Sequence, residues 1–172
     1  MRKGARCCNM TVYHGSLFEI PLPDISKSKP YVDFGPAFYV TTFRQQAERW
    51  ALRKAYRSGS THVAHVNQYS LDEECLEQFK VLRFSEANSG WLDFVCSCRK
   101  GIDVYSRWDA VVGPVANDDV FKSVNKYFKG EWTKEETLER LSFQHQSDQI
   151  AILSQNCLAA VLKFESVYNV QG

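Results

Sequence analysis

The chain has 172 residues, 44% of them hydrophobic, and a formal net charge of +1. That length suits one domain with a sizeable core, and the near-neutral balance gives no global signature of a nucleic-acid or membrane-surface protein. No apolar run approaches the roughly 18 residues of a membrane span, and the basic start Met1–Arg6 leads into Cys-Cys-Asn rather than an apolar signal core, so the sequence reads as cytoplasmic, with no membrane partner.

Residues 1–10 lack periodicity and read as a flexible N-terminus, leaving 11–172 as a single domain. Met10–Tyr13 predicts the first strand, ending at His14-Gly15-Ser16, where Gly15 admits backbone angles closed to other residues and Ser16 offers a hydroxyl. Leu17–Val32 carries Pro21, Pro23 and Pro30 and predicts an extended loop, of a length usually functional or mobile. Asp33, Gly35 and Pro36 then make a turn into the strand-prone run Ala37–Thr42. A helix follows at once: Thr42 and Gln45 have capping-box spacing, and Phe43, Ala47, Trp50 and Ala51 recur at i, i+4, i+7 and i+8. Its remaining surface is basic, Arg44, Arg49, Arg53, Lys54 and Arg57 against Glu48 alone, which makes either a solvated face or a contact for a polyanion.

Arg57–Thr61 predicts a turn and His62–Leu71 a strand, which sets His62 and His65 on opposite faces, against a shared metal. Leu76–Phe84 fits a strand or a short helix. Ser89 is a candidate cap for a helix with Trp91, Phe94, Val95 and Cys98 on one face, and Arg99 and Lys100 near its end suit the helix dipole. Trp108–Ala116 predicts a buried strand interrupted by Gly113-Pro114. Asp118 or Asp119 is an N-cap for the helical face Val120, Val124, Tyr127 and Phe128, or alternatively a polar group lining a cleft. Thr133 and Glu136 predict a second capping box, before Leu138 and Leu141. Gln149–Leu153 is a strand, Ser154 caps a helix carrying Leu158 and Leu162, and a strand near Phe164–Val170 closes the chain. The six cysteines fall on apolar positions and read as buried thiols, and Cys96-x-Cys98 lacks a second ligand pair at zinc spacing, so no metal is expected. Strands and short helices interleave without a βαβ rhythm, and no Gly-x-Gly-x-x-Gly follows a strand. The class is therefore α+β.

Tyr13-His14-Gly15-Ser16, Asp33-Phe34-Gly35, Phe38-Tyr39-Val40-Thr41, Gln46-Ala47 with Trp50-Ala51, and Asp109–Asp119 together carry a resemblance from about Thr11 to about Phe164. The chain resembles a mostly bacterial family catalogued as domain of unknown function 3990, assigned to the ADP-ribosyltransferase fold of the poly-ADP-ribose polymerase and diphtheria toxin type. The resemblance implies a split antiparallel β-sheet core with flanking helices. It implies NAD as substrate, held by His14, Gly15, Ser16, Gly35, Phe38 and Tyr39, with His14 on the adenosine-side ribose, a glycine backbone on the nicotinamide amide and the Tyr39 ring against nicotinamide. It also implies a toxin-like transferase whose acceptor is a nucleic-acid base, as in single-stranded DNA, or a protein side chain, often encoded beside a small neutralising antitoxin.

The glutamate that usually assists beside the ribose falls at Gln149, which can hydrogen-bond a hydroxyl but carries no charge and is no base at neutral pH. Three expectations follow. In the first, Gln149 orients the ribose or the acceptor, Asp118, Asp119 or Asp148 assists, and Arg49 and Arg53 contact the acceptor. In the second, the domain binds NAD or ADP-ribose without cleaving it. In the third, it is an NAD glycohydrolase with water as acceptor.

Overall fold

The computed structural model describes residues 9–59, 63–115, 118–142 and 148–171, apart from the side chains of 118, 119, 121 and 142. In chain order the elements are β1 (Asn9–Ser16), a 3-10 turn (Ile25–Lys27), β2 (Phe38–Val40), α1 (Arg44–Arg57), β3 (Ala64–Asp72), α2 (Glu73–Leu76), β4 (Val81–Arg83), α3 (Ser89–Arg99), β5 (Ala110–Pro114), α4 (Asp118–Phe128), α5 (Lys134–Ser142), β6 (Asp148–Ile152), α6 (Gln155–Val161) and β7 (Leu162–Val170). The class is α+β. Two sheets form, in the orders β1-β3-β7 and β2-β6-β5-β4.

Most pairings are antiparallel, as expected, but β4 runs parallel to β5, from Val81 beside Ala110 to Arg83 beside Val112. Among the described residues the sheets meet at a single bridge, where Tyr13 N–H donates to Thr41 O at 2.8 Å and Thr41 N–H returns a bond to Tyr13 O at 3.0 Å. One apolar cluster spans that meeting: Val12, Tyr69 and Leu71 of the first sheet pack with Phe38, Val40, Ile150 and Ile152 of the second, under Leu158 of α6. A second cluster, around Phe34, Trp91, Val95, Val111, Val124 and Ala151, fills the other face of the four-stranded sheet. A third joins Ala47 and Ala51 of α1 to Ala64 and Val66 of β3. Burying these aliphatic and aromatic groups is the main force holding the sheets in register.

Several local expectations need correction. β1 starts at Asn9, two residues inside the expected flexible segment, and runs through His14 and Gly15 to Ser16, which pairs with His65. Residues 1–8 and the 60–62 part of the expected turn, with His62, lie outside the described residues. Asn88, not Ser89, caps α3, its side chain accepting from Trp91 N–H. Leu76–Phe84 divides into the end of α2 and β4. Leu162 has left the helical region (φ −115°, ψ 124°) and begins β7, where it pairs with Leu71.

The loop 17–32 is pinned. Buried Asn67 accepts from Ile20 N–H and donates to Phe18 O, the Tyr69 hydroxyl donates to Ile20 O at 2.6 Å, and Gln155 of α6 bonds Pro23 O and Ile25 N–H. These backbone groups would otherwise depend on water, because the prolines deny them a ladder.

Candidate functional site

Next to the Tyr13–Thr41 bridge the two sheets separate. Strand alternation turns Gly15 N–H and C=O to the same side as those of Tyr13, and Tyr39 C=O to the same side as that of Thr41, so both peptides face the opening. His14 reaches across it. Its Nδ1 lies 2.6 Å from Tyr39 O, and since a carbonyl can only accept, the proton sits on Nδ1 and Nε2 is the acceptor. The ring stacks on Phe38 (centroids 4.5 Å apart, 22° between planes). Burial, aided by the charge of Lys54 and opposed by the bond to Tyr39, holds the His14 pKa down at about 3, so the imidazole is neutral near pH 7.

The resemblance placed Phe38 against the ligand. Instead it is buried, between the His14 ring and the edge of Tyr69, where it positions His14. Tyr39 points to the other face of the sheet. Its hydroxyl donates to Gly35 O at 2.7 Å and accepts from Phe34 N–H at 3.0 Å, and burial, then the nearby Asp33, push its pKa well up, so it stays protonated. Gly35 has φ +86°, and a Cβ there would lie 2.6 Å from the Tyr105 ring. Its role in the turn is therefore set by its backbone angle and by the Tyr105 ring on its Cβ side. The same turn is fastened by Arg99, which reaches Asp33 at 2.6 and 2.8 Å and Asn125 of α4 at 3.0 Å, with side chains only 9% and 18% exposed across the ion pair. Arg99 therefore serves the fold.

Gly15 also has a reason other than the expected one. Its φ is not positive, but a Cβ would lie 2.1 Å from Ala47 O and 2.7 Å from Ala51 N. Only glycine lets the α1 backbone seat on β1 here. Ser16 is buried and accepts from Phe18 N–H at 3.2 Å, turning the chain out of the strand.

At the start of β6, Asp148 accepts from Thr41 Oγ1, Thr42 N–H and Thr42 Oγ1, the last at 2.9 Å to each oxygen. Gln46 Nε2 donates to Asp148 O at 3.2 Å. The expected Thr42–Gln45 capping box is thus absent: α1 begins after Phe43 without a side-chain cap, and Thr42 serves Asp148 instead. Gln149, 3% exposed, lies two residues before Ala151, the partner of Tyr39, and so shares a sheet face with Tyr39. Its Nε2 and Gln46 Oε1 are buried without a partner. A buried polar atom left without a partner costs about 1–3 kcal/mol.

The structure therefore joins His14, Gly15 and the Tyr39 carbonyl around the opening and sets Asp148 and Gln149 at the adjoining end of β6, whereas the Tyr39 ring, expected against nicotinamide, packs on the other face with the Phe34 cluster. Arg49 and Arg53 lie on the side of α1 opposite Ala47 and Ala51, away from Gly15. Asp118 and Asp119 open α4, but their side chains are outside the described set. Lys54, on the inner side of α1, was not expected: its ammonium donates to Gly15 O at 2.6 Å. The only sequence signal for it was its phase, seven residues after Ala47 and three after Ala51. A separate cleft of about 480 Å³ opens at the other end of β2 and β6, between Pro36, Tyr105, Trp108 and Leu153, and holds none of the expected residues.

No helix among the described residues is long and apolar enough to cross a membrane. A comparison with curated proteins finds no match. Residues 10–164 match the family described as Protein of unknown function (DUF3990), and the chain belongs to that family.

Proposed function

We propose that this chain is a cytoplasmic, toxin-like, NAD-dependent mono-ADP-ribosyltransferase. The observation supporting this reading is the opening between β1 and β2, where the neutral His14 imidazole, the outward-facing Gly15 peptide and the Tyr39 strand converge. His14 Nε2 accepts from a ribose hydroxyl of NAD, while the Gly15 amide holds the nicotinamide carboxamide. The bond between nicotinamide nitrogen and ribose C1′ breaks, its electron pair leaving with nicotinamide as cationic character develops on the ribose. A lone pair of the acceptor then bonds C1′, and the acceptor's proton passes to solvent. Gln149 orients a hydroxyl, and Arg49 and Arg53 meet a polyanionic acceptor such as single-stranded DNA. In a cell, an antitoxin partner would block the opening.

One observation favours a second reading, a domain that binds NAD without cleaving it. Asp148 is engaged by three donors, and Gln149 beside it is uncharged.

Incubating the protein with labelled NAD and separate pools of protein, single-stranded DNA, duplex DNA and RNA distinguishes the readings. Transfer puts label on one pool, and His14→Ala or Tyr39→Ala removes it. Free ADP-ribose without a labelled pool means a glycohydrolase. A ligand-induced rise in melting temperature with no nicotinamide released means a binding module.

A further inference from the structure

We infer that the β1–β2 opening prefers a dinucleotide whose pyridine ring carries a carboxylate in place of the carboxamide of NAD, and that Lys54 sets this preference. The inference deepens the NAD reading above and rests on it for the placing of the pyridine ring beside Gly15. A bare strand edge offers a carboxamide a matched pair, an N–H for its oxygen and a C=O for its amino group. At Gly15 the pair is not bare. The missing Cβ lets α1 lie close against β1, and Lys54, three residues beyond Ala51, reaches over the strand edge to donate from its ammonium to Gly15 O at 2.6 Å. Because that carbonyl faces the opening, the bond sets the ammonium on the same side. Its charge is felt there: after burial, it is the next cause holding the His14 pKa down.

The other carbonyl that faces the opening is also engaged, since Tyr39 O accepts from His14 Nδ1 at 2.6 Å. What the edge presents beside Gly15 is therefore a pair of donors, the Gly15 N–H and the Lys54 ammonium. A carbonyl oxygen can accept a second bond, but a carboxamide amino group placed on Gly15 O would stand against the ammonium, donor to donor. A carboxylate meets no such conflict. One of its oxygens accepts from Gly15 N–H and the other from Lys54, the second bond being charge-assisted. Charge argues the same way. The pyridinium of NAD is positive, a carboxylate on the ring cancels that charge, and an ammonium beside the ring favours the cancelled form.

The test is calorimetric titration of the full chain with ADP-ribose and with non-cleavable carbocyclic analogues of NAD and of its deamidated acid form. The parent should bind the acid analogue about tenfold more tightly than the amide, one charge-assisted bond being worth roughly a decade of affinity. Lys54→Met bares Gly15 O to an amino group and sets it against a carboxylate, so the preference should reverse. ADP-ribose has no pyridine ring, and parent and variant should bind it within about threefold of each other. Lys54→Arg should keep the acid preference. The preference is a ratio of two ligands on one protein, so a change in stability cancels from it. Equal binding of the two analogues by the parent, or the same ratio in the parent and Lys54→Met, overturns the inference while the NAD reading stands. Weakening of every ligand alike by Lys54→Met leaves that ratio unchanged and assigns Lys54 to the fold. If the acid preference appears and depends on Lys54, but the parent releases no pyridine group from either natural dinucleotide, the preference stands and the transferase reading fails. If the parent binds none of the ligands, both are overturned.

Discussion

Two helix starts in this molecule carry the same capping pattern in sequence and end differently in space. At α5, Thr133 Oγ1 accepts from Glu136 N–H at 3.2 Å, and Glu136 Oε2 accepts from Thr133 N–H at 2.8 Å, so the reciprocal box forms as its spacing dictates. At α1, Thr42 bonds Asp148, which is 106 residues away, and the helix starts on Phe43 with no side-chain cap. Local rules prevail at α5 because, among the described residues, no distant group competes for the hydroxyl. At α1 a carboxylate competes and wins, since an ionised acceptor makes roughly twice as strong a bond as a neutral one. The lost cap lies beside the proposed site, where departures from local consistency are expected to gather.

The largest effect should come from removing that carboxylate. Asp148→Ala leaves Thr41 Oγ1, fully buried, and the Thr42 donors without their acceptor, and it should cost about 3 kcal/mol in urea unfolding. A loss under about 1 kcal/mol would mean that α1 is held by the Gly15–Ala47 packing alone, and the comparison with α5 would lose its cause.

A pH series sharpens the other side of the opening. The native pKa of His14 is about 3 against an unfolded 6.5, so on acidification the unfolded chain takes up a proton that the native ring refuses. Stability should therefore fall from pH 6.5 towards 3 by about 1.4 kcal/mol per unit from this group. At pH 4.5, relative to pH 7, the parent should lose about 2.5 kcal/mol more than His14→Gln does. Parallel curves for the two proteins would place the ring in water and remove the neutral acceptor on which the proposed ribose contact depends.

Tyr39→Phe ranks next. It removes a hydroxyl that bridges Phe34 N–H and Gly35 O, within a turn that Arg99 and Asp33 hold independently, so about 1.5 kcal/mol should be lost. Because the Tyr39 carbonyl at the opening is untouched, ADP-ribose affinity should change less than threefold. A large loss of affinity with an unchanged unfolding midpoint would assign the hydroxyl to the ligand.

These residues also show what the sequence could and could not reveal. The α+β class and most of the order of strands and helices were legible, because periodicity and turn chemistry are local in sequence. The parallel β4–β5 pair was not, since register between distant strands leaves no trace in either strand alone. Gly15 was legible as special for the wrong reason. A tight glycine and a left-handed glycine look identical in sequence, and only the seat of α1 on β1 distinguishes them. Lys54 read as one more cation of a basic helix, yet its phase turns it inward to Gly15 O while Arg49 and Arg53 turn outward. Asp148 read as one of three candidate acids to assist the transfer, although three donors from 41 and 42 already engage it.

The smallest effect is the control on the opening comparison. Thr133→Ala deletes one half of a box that involves no other element, and loss of a threonine cap costs about 1 kcal/mol. Thr42→Ala should cost more than this, because it also strips Asp148 of a donor to each of its oxygens. Combining each threonine change with Asp148→Ala turns the difference into a coupling energy. Thr133→Ala and Asp148→Ala should add within about 0.5 kcal/mol, as changes at separate sites do, whereas Thr42→Ala should be largely silent once Asp148 is gone. Additivity at both sites would show that Thr42 stabilises α1 by some route other than Asp148, and the contrast between the two helix starts would then be one of degree.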